Sequence, residues 1–430
     1  APLNENTKGL MNYEAFKKMK EDSILINMGR GPIVVDADLA KAMMLPILNP
    51  LPMSFQQFDG IMDEIILKIN SGANIETLLY NYENTPYYFK RDNTYFDGQR
   101  YMPSIKDVAH FYVLINYLIT GQLDNAFDRH KSFEKFFSNQ WDEIKDFIYD
   151  TMMGNETDRY KNIEVDIVSG SIYKIKKYFL ENSKIKDIRG ASAIIKYLNE
   201  DVTLSYLEDK YIRECAIYCG GGNVLIIVQK GQGHTICKEL EEKYTKVSLT
   251  AQNAFEHITC DLNTLMTQYN SKMGELNRKL QERKKIKLYH INPDNDLSHI
   301  NMEGKNIYFN EAKRVEQEGI VCELCSVRDG KYKIPTAEGT IIVCPSCLRK
   351  NSTGRYKAIF YEEYKKFTGA FADAKVESIN DLGDKENRVA VIYADGNNMG
   401  DVIRRIENPF QHMYFSRNLD YITKNCVYKS

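Results

Sequence analysis

Four cysteines stand in two pairs, Cys322-Glu-Leu-Cys325 and Cys344-Pro-Ser-Cys347, with eighteen residues between the pairs. A CxxC turn is tight enough to aim both sulfurs at one ion, and two such turns complete a tetrahedral four-thiolate site of the zinc-ribbon kind. Four soft thiolates close the coordination sphere, so this zinc is expected to hold structure and do no chemistry. The competing reading is four unrelated buried thiols.

Two further segments carry chemistry. Arg388 to Tyr393 reads as a buried strand that delivers Asp395, and Gly396, Asn397 and Asn398 then turn into a helix over 401–406. A strand-end carboxylate binds divalent metal, and the small turn residues let backbone approach a triphosphate. An aspartate that caps the following helix is the other reading. The run Cys219-Gly220-Gly221-Gly222-Asn223 joins two predicted strands, 215–219 and 224–228, as a hairpin. Its glycines permit close approach to a ligand, but Asn223 carries no charge to hold magnesium. A tight turn with no ligand stays open there.

The elements that must position these groups belong to a chain of 430 residues, long enough for several domains. Its 57 basic and 59 acidic residues nearly cancel, which excludes a globally basic nucleic-acid coat. No uninterrupted run of eighteen apolar residues occurs, and no charged segment followed by an apolar run opens the chain, so neither a membrane span nor a secretory signal is expected. Five cysteines remain outside the ribbon, Cys215, Cys219, Cys237, Cys260 and Cys426, without framework spacing, which suits a reducing cytoplasm.

Organisation changes along the chain. Residues 1–43 contain a helical stretch around Phe16 and Met19, a buried strand Ser23 to Asn27, the turn Met28-Gly29-Arg30-Gly31 and a second helix. Three prolines, Pro46, Pro50 and Pro52, mark a linker over 44–53. Residues 54–158 read as mainly helical, with apolar stripes at Phe55, Phe58, Ile61, Ile65 and Ile69 and at Val108, Phe111, Val113, Leu114 and Leu118. Asp107 and His110 share a helical face there, but the chain contains no His-Asp dipeptide of the kind a metal phosphohydrolase needs.

From 159 to 250 the pattern mixes a strand at 163–168, helices at 171–182 and 191–199, the glycine hairpin and a helix at 234–244. Residues 251–317 read as a helical segment, dominated by a long stretch from Phe255 to Lys287. Its charge run, Arg278, Lys279, Arg283, Lys284, Lys285 and Lys287, reads as a solvated face or as a patch facing RNA or nucleotide. The ribbon occupies 318–352, and 353–430 holds the Asp395 strand and its helix.

Two resemblances follow from these motifs. Residues 1–43 resemble the late NAD-domain segment of D-2-hydroxyacid dehydrogenases, in which the arginine matched by Arg30 holds the substrate carboxylate. The upstream glycine-rich dinucleotide fingerprint is absent, so this piece is expected to be a fused remnant without a cofactor crevice. The second resemblance rests on an ordered set. Asp166-Ile-Val-Ser-Gly-Ser171, Lys186-Asp-Ile-Arg-Gly-Ala-Ser192, the glycine hairpin, the paired CxxC turns and Tyr393-Ala-Asp-Gly-Asn-Asn-Met-Gly400 follow one another over about 160–410. That set resembles the large subunit of type III CRISPR effector complexes.

The resemblance implies an α+β fold with paired ferredoxin-like palm domains of nucleotidyl cyclase type, a four-cysteine zinc ribbon and an N-terminal helical region. It implies a first palm at 159–250 and the start of a second, truncated palm at 353–430. The family makes cyclic oligoadenylates from ATP with magnesium, as part of an antiviral complex with other subunits, guide RNA and target RNA. Asp395 matches its first catalytic carboxylate, which would also hold magnesium. Gly220, Gly221, Gly222, Asn223, Gly396, Asn397 and Asn398 would line nucleotide sites. The family's second metal-binding motif, GGDD, does not occur in this sequence. The expected activity is therefore incomplete, a non-catalytic nucleotide-binding or scaffolding palm protein being one alternative and an NAD-dependent dehydrogenase the other.

Overall fold

The computed structural model describes residues 87–90, 99–102, 105–121, 127–136, 160–286, 300–302, 305–307, 312–316, 319–336, 339–355 and 399–429, with Ala15, Leu67, Ser71, Lys365 and Arg388 as single positions. The chain divides into two compact units. The first comprises Ala1–Tyr112, His130–Met152 and Val391–Arg405, and the second Val113–Arg129, Met153–Ala390 and Ile406–Ser430.

In the first unit, strands Tyr87–Lys90 and Gln99–Met102 pair antiparallel, a hairpin inside a stretch whose periodicity predicts helix. The ring of Tyr112 lies 5.3 Å from that of Phe136. Helix α1 (Ile105–Thr120) matches the apolar stripe, and Phe111, Val113, Leu114 and Leu118 are buried. The stripe from Phe55 to Ile69, the proline linker, Arg30 and the strand expected before Asp395 lie outside the described residues.

The second unit is built on a four-stranded sheet. Strand β1 (Glu164–Tyr173) is followed by the short helix Ile175–Leu180, helix α2 (Ile185–Tyr197), a π-helical turn Leu198–Val202 and helix α3 (Thr203–Lys210). Strands β2 (Ala216–Gly220) and β3 (Asn223–Gln229) form the glycine hairpin, and helix α4 (Gly233–Ser248) leads to strand β4 (Gln252–Asp261). The spatial order is β2-β3-β1-β4 with every neighbour antiparallel, which is the split βαβ arrangement of ferredoxin-like domains.

β4 corrects the sequence reading, which places helix from Phe255 onward. Ten residues of β4 pair with ten of β1, from Glu164↔Asp261 to Tyr173↔Gln252. The helical pattern begins only at Leu262, where Asp261 caps by accepting from Thr264 N at 2.8 Å. Helix α5 (Tyr269–Ile286) then lies against β4 and β1. The predicted helix at 171–182 also starts late, because Ser171 to Tyr173 still belong to β1.

Alternation along β1 puts Asp166, Val168, Gly170 and Ile172 on one face. That face meets α4. The Asp166 carboxylate accepts from Gly231 N and Gly233 N, both at 2.8 Å, and so closes the start of the helix. Gly170 lies beneath Phe255, whose ring a Cβ there would meet at 2.1 Å, and Phe255 packs edge-on against Tyr244 of α4.

The cysteine segment folds on a three-stranded sheet. Strands β5 (Tyr332–Thr336) and β6 (Gly339–Val343) pair antiparallel, with Lys313–Arg314 alongside β5. Helix α6 (Pro345–Arg355) leaves the second cysteine pair and crosses α2 at contact distance. A Cβ on Gly190 would sit 1.8 Å from Lys350 O, and one on Gly354 would sit 2.0 Å from Lys186 O, so only glycine permits this crossing. Helix α7 (Pro409–Lys429) packs on β2. Its start is closed by Asn408, which accepts from Gln411 N at 2.9 Å, while Gln411 accepts from Glu407 N at 2.8 Å.

Asp187 of α2 is fully buried at the crossing. Its Oδ1 accepts from Asn351 Nδ2 at 2.7 Å, while its Oδ2 and Asn351 Oδ1 both lack a partner. Desolvation pushes the Asp187 carboxyl above its ordinary range. A protonated Asp187 donates to Asn351 Oδ1 and completes a two-point acid–amide pair. With the folded pKa raised, this contribution is complete below the unfolded value of 3.8 and fades as pH rises through the folded value. Asp187→Asn keeps two-point pairing without a charge to bury. It should stabilise the fold by about 1–3 kcal/mol at pH 7, measured by urea unfolding, with the gain closing towards pH 4.

Candidate metal and nucleotide sites

All four ribbon cysteines are buried, and their sulfurs lie within 4.8 Å of one another. Each pair is shaped by its own backbone. Ser326 N donates to Cys322 O at 2.8 Å, with Ser326 in the left-handed region at φ 53°, and Leu348 N donates to Cys344 O at 2.9 Å. Cys347 N also donates to Cys344 Sγ at 3.4 Å. Ile334, Val343 and Leu348 close the cluster from water.

The separation suits a metal. Zn–S bonds of about 2.3 Å in a tetrahedron put sulfurs about 3.8 Å apart, and Cys325 Sγ and Cys344 Sγ are 4.0 Å apart. Hydrogen bonds from the Cys322 and Cys347 thiols, aided by the Arg328 charge, hold Cys344 well below the thiol range. Its bond to Cys344 pushes Cys322 up to about 11. The quartet can therefore hold a zinc ion, as its spacing predicts.

Side chains that sequence reasoning missed surround it. Asn182 donates to Cys347 Sγ at 3.3 Å, and Arg328 Nη1 reaches Cys325 Sγ and Cys344 Sγ at 3.6 Å. Lys350, with no exposed surface, donates to Glu181 Oε2 at 2.7 Å, and burial pulls its ammonium down to about 8. No spacing rule announces these residues. Glu181 and Asn182 sit in an ordinary turn far from either cysteine pair in sequence.

The glycine hairpin has a structural explanation of its own. Gly221 and Gly222 have φ of 58° and 83°, the signature of a two-residue type I′ turn, which demands left-handed residues at both positions. Asn199, from the π-helical turn, accepts from Gly222 N at 3.0 Å and donates to Tyr244 OH at 3.2 Å. Gly222 O accepts from Ile172 N at 2.7 Å, fixing the tip to the end of β1. Asn199 is a second residue that the sequence did not single out. Gly220, by contrast, has open space around it, and Gly220, Gly221 and Asn223 are exposed. Asn223 donates to Gly221 O at 3.5 Å. Burial pushes the neighbouring Cys219 thiol up to about 12, so it supplies no thiolate at neutral pH. Asp395, Gly396, Asn397 and Asn398 lie outside the described residues.

Comparison with known proteins gives two sets of likenesses. Residues 1–46 match the family of D-isomer specific 2-hydroxyacid dehydrogenases, NAD binding domain. Over 42 residues the chain is 52% identical to the formate dehydrogenase of Neurospora crassa and 48% identical to a putative 2-hydroxyacid dehydrogenase of Haemophilus influenzae. These stretches are 10% of this chain and 11% and 13% of those proteins. The solved structures it resembles include Csm1 in T. onnurineus, with 14% identity, 61% of this chain, 38% of that chain and a TM-score of 0.32. A Csm1–Csm4 cassette in complex with cA4 gives 14% identity, 59% and 38% coverage and a TM-score of 0.32. A type III-B Cmr-beta structure in the apo state gives 11%, 75%, 48% and 0.34.

These structural neighbours are type III CRISPR large subunits. The chain spans less than half the length of each of these three, and about a tenth of the curated relatives. The dehydrogenase likeness is confined to the short N-terminal segment that contains Arg30. Among the described residues no helix is long and apolar enough to cross a membrane.

The three hairpin glycines should separate by substitution. Gly222→Ala places a left-handed Cβ 2.7 Å from Ile175 Cδ1 and should cost at least about 1–2 kcal/mol. Gly221→Ala carries the conformational cost alone, and Gly220→Ala should stay within about 0.5 kcal/mol of wild type. Urea denaturation of the three variants reads that order directly.

Proposed function

We propose that this chain is a palm-type nucleotide-binding protein of the type III CRISPR large-subunit kind, with its ribbon held by structural zinc and Asp395 as a magnesium ligand in an ATP site. The observation that carries the reading is the pairing of a ferredoxin-like unit, whose central hairpin ends in exposed glycine backbone, with a docked four-cysteine ribbon. The motifs 166–171, 186–192, 219–223, 322–347 and 393–400 occur in the order that this family implies.

Each part has an assigned task. Gly220 and Gly221 let the first palm's hairpin approach phosphate oxygens, with Gly222 and Asn223 setting the turn. Asp395 supplies a carboxylate to magnesium, and Gly396, Asn397 and Asn398 offer backbone and amide groups beside the triphosphate. Magnesium, when bound, offsets phosphate charge. Partners on this reading are the other subunits of such an effector complex, through which the chain meets guide and target RNA in the cytoplasm.

Binding without turnover is the second reading, and Asn223 favours it. The hairpin tip holds an amide where a second metal would need a carboxylate, and one carboxylate, even bridging, supplies too few ligands to hold two metals. Oligoadenylate synthesis by the 430-residue chain should therefore be weak or absent.

Three measurements test this. Elemental analysis should return about one zinc per chain, lost in Cys344→Ser, and a well-folded protein purified without zinc defeats the metal assignment. Calorimetric titration with ATP should show magnesium-dependent binding, weakened at least about tenfold, or 1.4 kcal/mol, by Asp395→Ala. Metal-independent binding untouched by that substitution refutes the site. A robust cyclic product in a radiolabelled ATP assay refutes the claim that its chemistry is incomplete.

A further inference from the structure

The ribbon alone does not serve its four sulfurs. Asn182 lies in the turn between the helix Ile175–Leu180 and α2, is buried, and donates from Nδ2 to Cys347 Sγ at 3.3 Å. Arg328, three residues past Cys325, donates to Cys325 Sγ and Cys344 Sγ and pairs through Nη2 with Glu181. Lys350, three residues past Cys347, donates to Glu181 Oε2 and Tyr178 O at 2.7 Å and to Asn182 Oδ1 at 3.4 Å. Its Nζ also stands 4.0 Å from the Tyr178 ring centroid. Two consecutive residues of the ferredoxin-like sheet's own connection thus reach Cys347 and α6 directly and, through Arg328, the sulfurs of Cys325 and Cys344.

A divalent ion in four thiolates leaves a net charge of about −2 on the cluster, and donors to sulfur spread that charge and orient the ligands. Arg328 and Lys350 bring two positive charges to its margin, and Glu181 ties both to the α2 side. The same side chains anchor α6 where Gly190 and Gly354 let the helices touch.

We infer that Asn182 and Arg328, the latter held by Glu181, form the outer coordination sphere of the ribbon's metal, which makes metal binding and the docking of α6 on α2 one coupled equilibrium. This rests on the zinc reading above. Coupling is reciprocal: if the metal tightens the docked helices, the docked helices tighten the hold on the metal by the same free energy. Two chemically unlike substitutions therefore share one readout. Asn182→Ala removes the N–H···S bond. Gly190→Ala touches no sulfur, but its Cβ falls 1.8 Å from Lys350 O and pushes α6 away.

The experiment follows transfer of zinc from the full chain to a chromophoric chelator, with circular dichroism as a check on folding. At equilibrium both variants should hold zinc about 10- to 100-fold more weakly than wild type. Gly274→Ala, on α5 with open space around it, should hold zinc as tightly as wild type. Should a variant fail to fold, hydrogen exchange of wild type decides: stripping zinc should speed exchange across 185–197. Protein that never held zinc defeats the metal reading. Zinc-loaded wild type whose 185–197 exchange ignores stripping, or a folded Asn182→Ala that holds zinc as tightly as wild type, defeats the coupling alone.

Discussion

The close crossing of α2 and α6 is the constraint on which the rest of the second unit depends. Two glycines, Gly190 and Gly354, remove the Cβ atoms that would hold the helix backbones apart. Once the backbones touch, Lys350 has no route to water, and its ammonium must find partners inside. It finds the carbonyl of Tyr178, the carboxylate of Glu181 and the amide of Asn182. Losing one member of a buried ion pair costs about 3–5 kcal/mol, so the turn at 178–182 cannot move independently of α6. Further bonds follow the same seam: Arg349 donates to Lys246 O and Val247 O at the end of α4, and Thr250 and Ser346 meet at 2.7 Å. The ribbon is thereby made part of the ferredoxin-like unit, although among the described residues its own buried core is the four cysteines with Ile334, Val343 and Leu348.

How far the sequence revealed this depends on the range of each signal. The CxxC pairs were legible because metal geometry dictates a local spacing. The hairpin was legible because left-handed backbone selects glycine within four residues. β4 was not. Its Gln252-Asn-Ala-Phe-Glu-His-Ile-Thr-Cys-Asp261 alternates imperfectly, and what makes it a strand is pairing with β1 some ninety residues earlier. That partner also explains why β1 runs on to Tyr173 instead of yielding to helix at Ser171. The glycines at 190 and 354 were equally silent, since a helical glycine announces weakness in propensity and not the backbone it will touch.

The candidate site shows the same division. Cysteine ligands declare themselves, while Asn182, Glu181, Arg328 and Lys350 are defined only by what the fold brings to the sulfurs. Asn199 is similar. It reaches Gly222 N because a π-helical turn re-aims the chain after α2, and a further hydrogen bond runs to Tyr244, itself bonded to Thr203. A polar chain of Asn199, Tyr244 and Thr203 inside an apolar layer is stiff only when every member is satisfied. It holds the hairpin tip to the body of the sheet, where the short turn alone would leave it free to twist.

That stiffness bears on what the hairpin can do. A backbone that offers amides to a phosphate gains affinity when those amides are already aimed, because little ordering remains to be done on binding. Gly222 N is committed to Asn199 and Gly222 O to Ile172 N. The exposed residues of the tip are Gly220, Gly221 and Asn223, whose side-chain amide donates to Gly221 O. All are neutral. Such a tip recognises shape and accepts or donates hydrogen bonds, but it cannot balance a metal's charge, so any charge-bearing step must come from elsewhere in the protein. On the proposed reading the turn holds a ligand against the sheet edge, and the carboxylate chemistry proposed for Asp395 has to stand on its own residues.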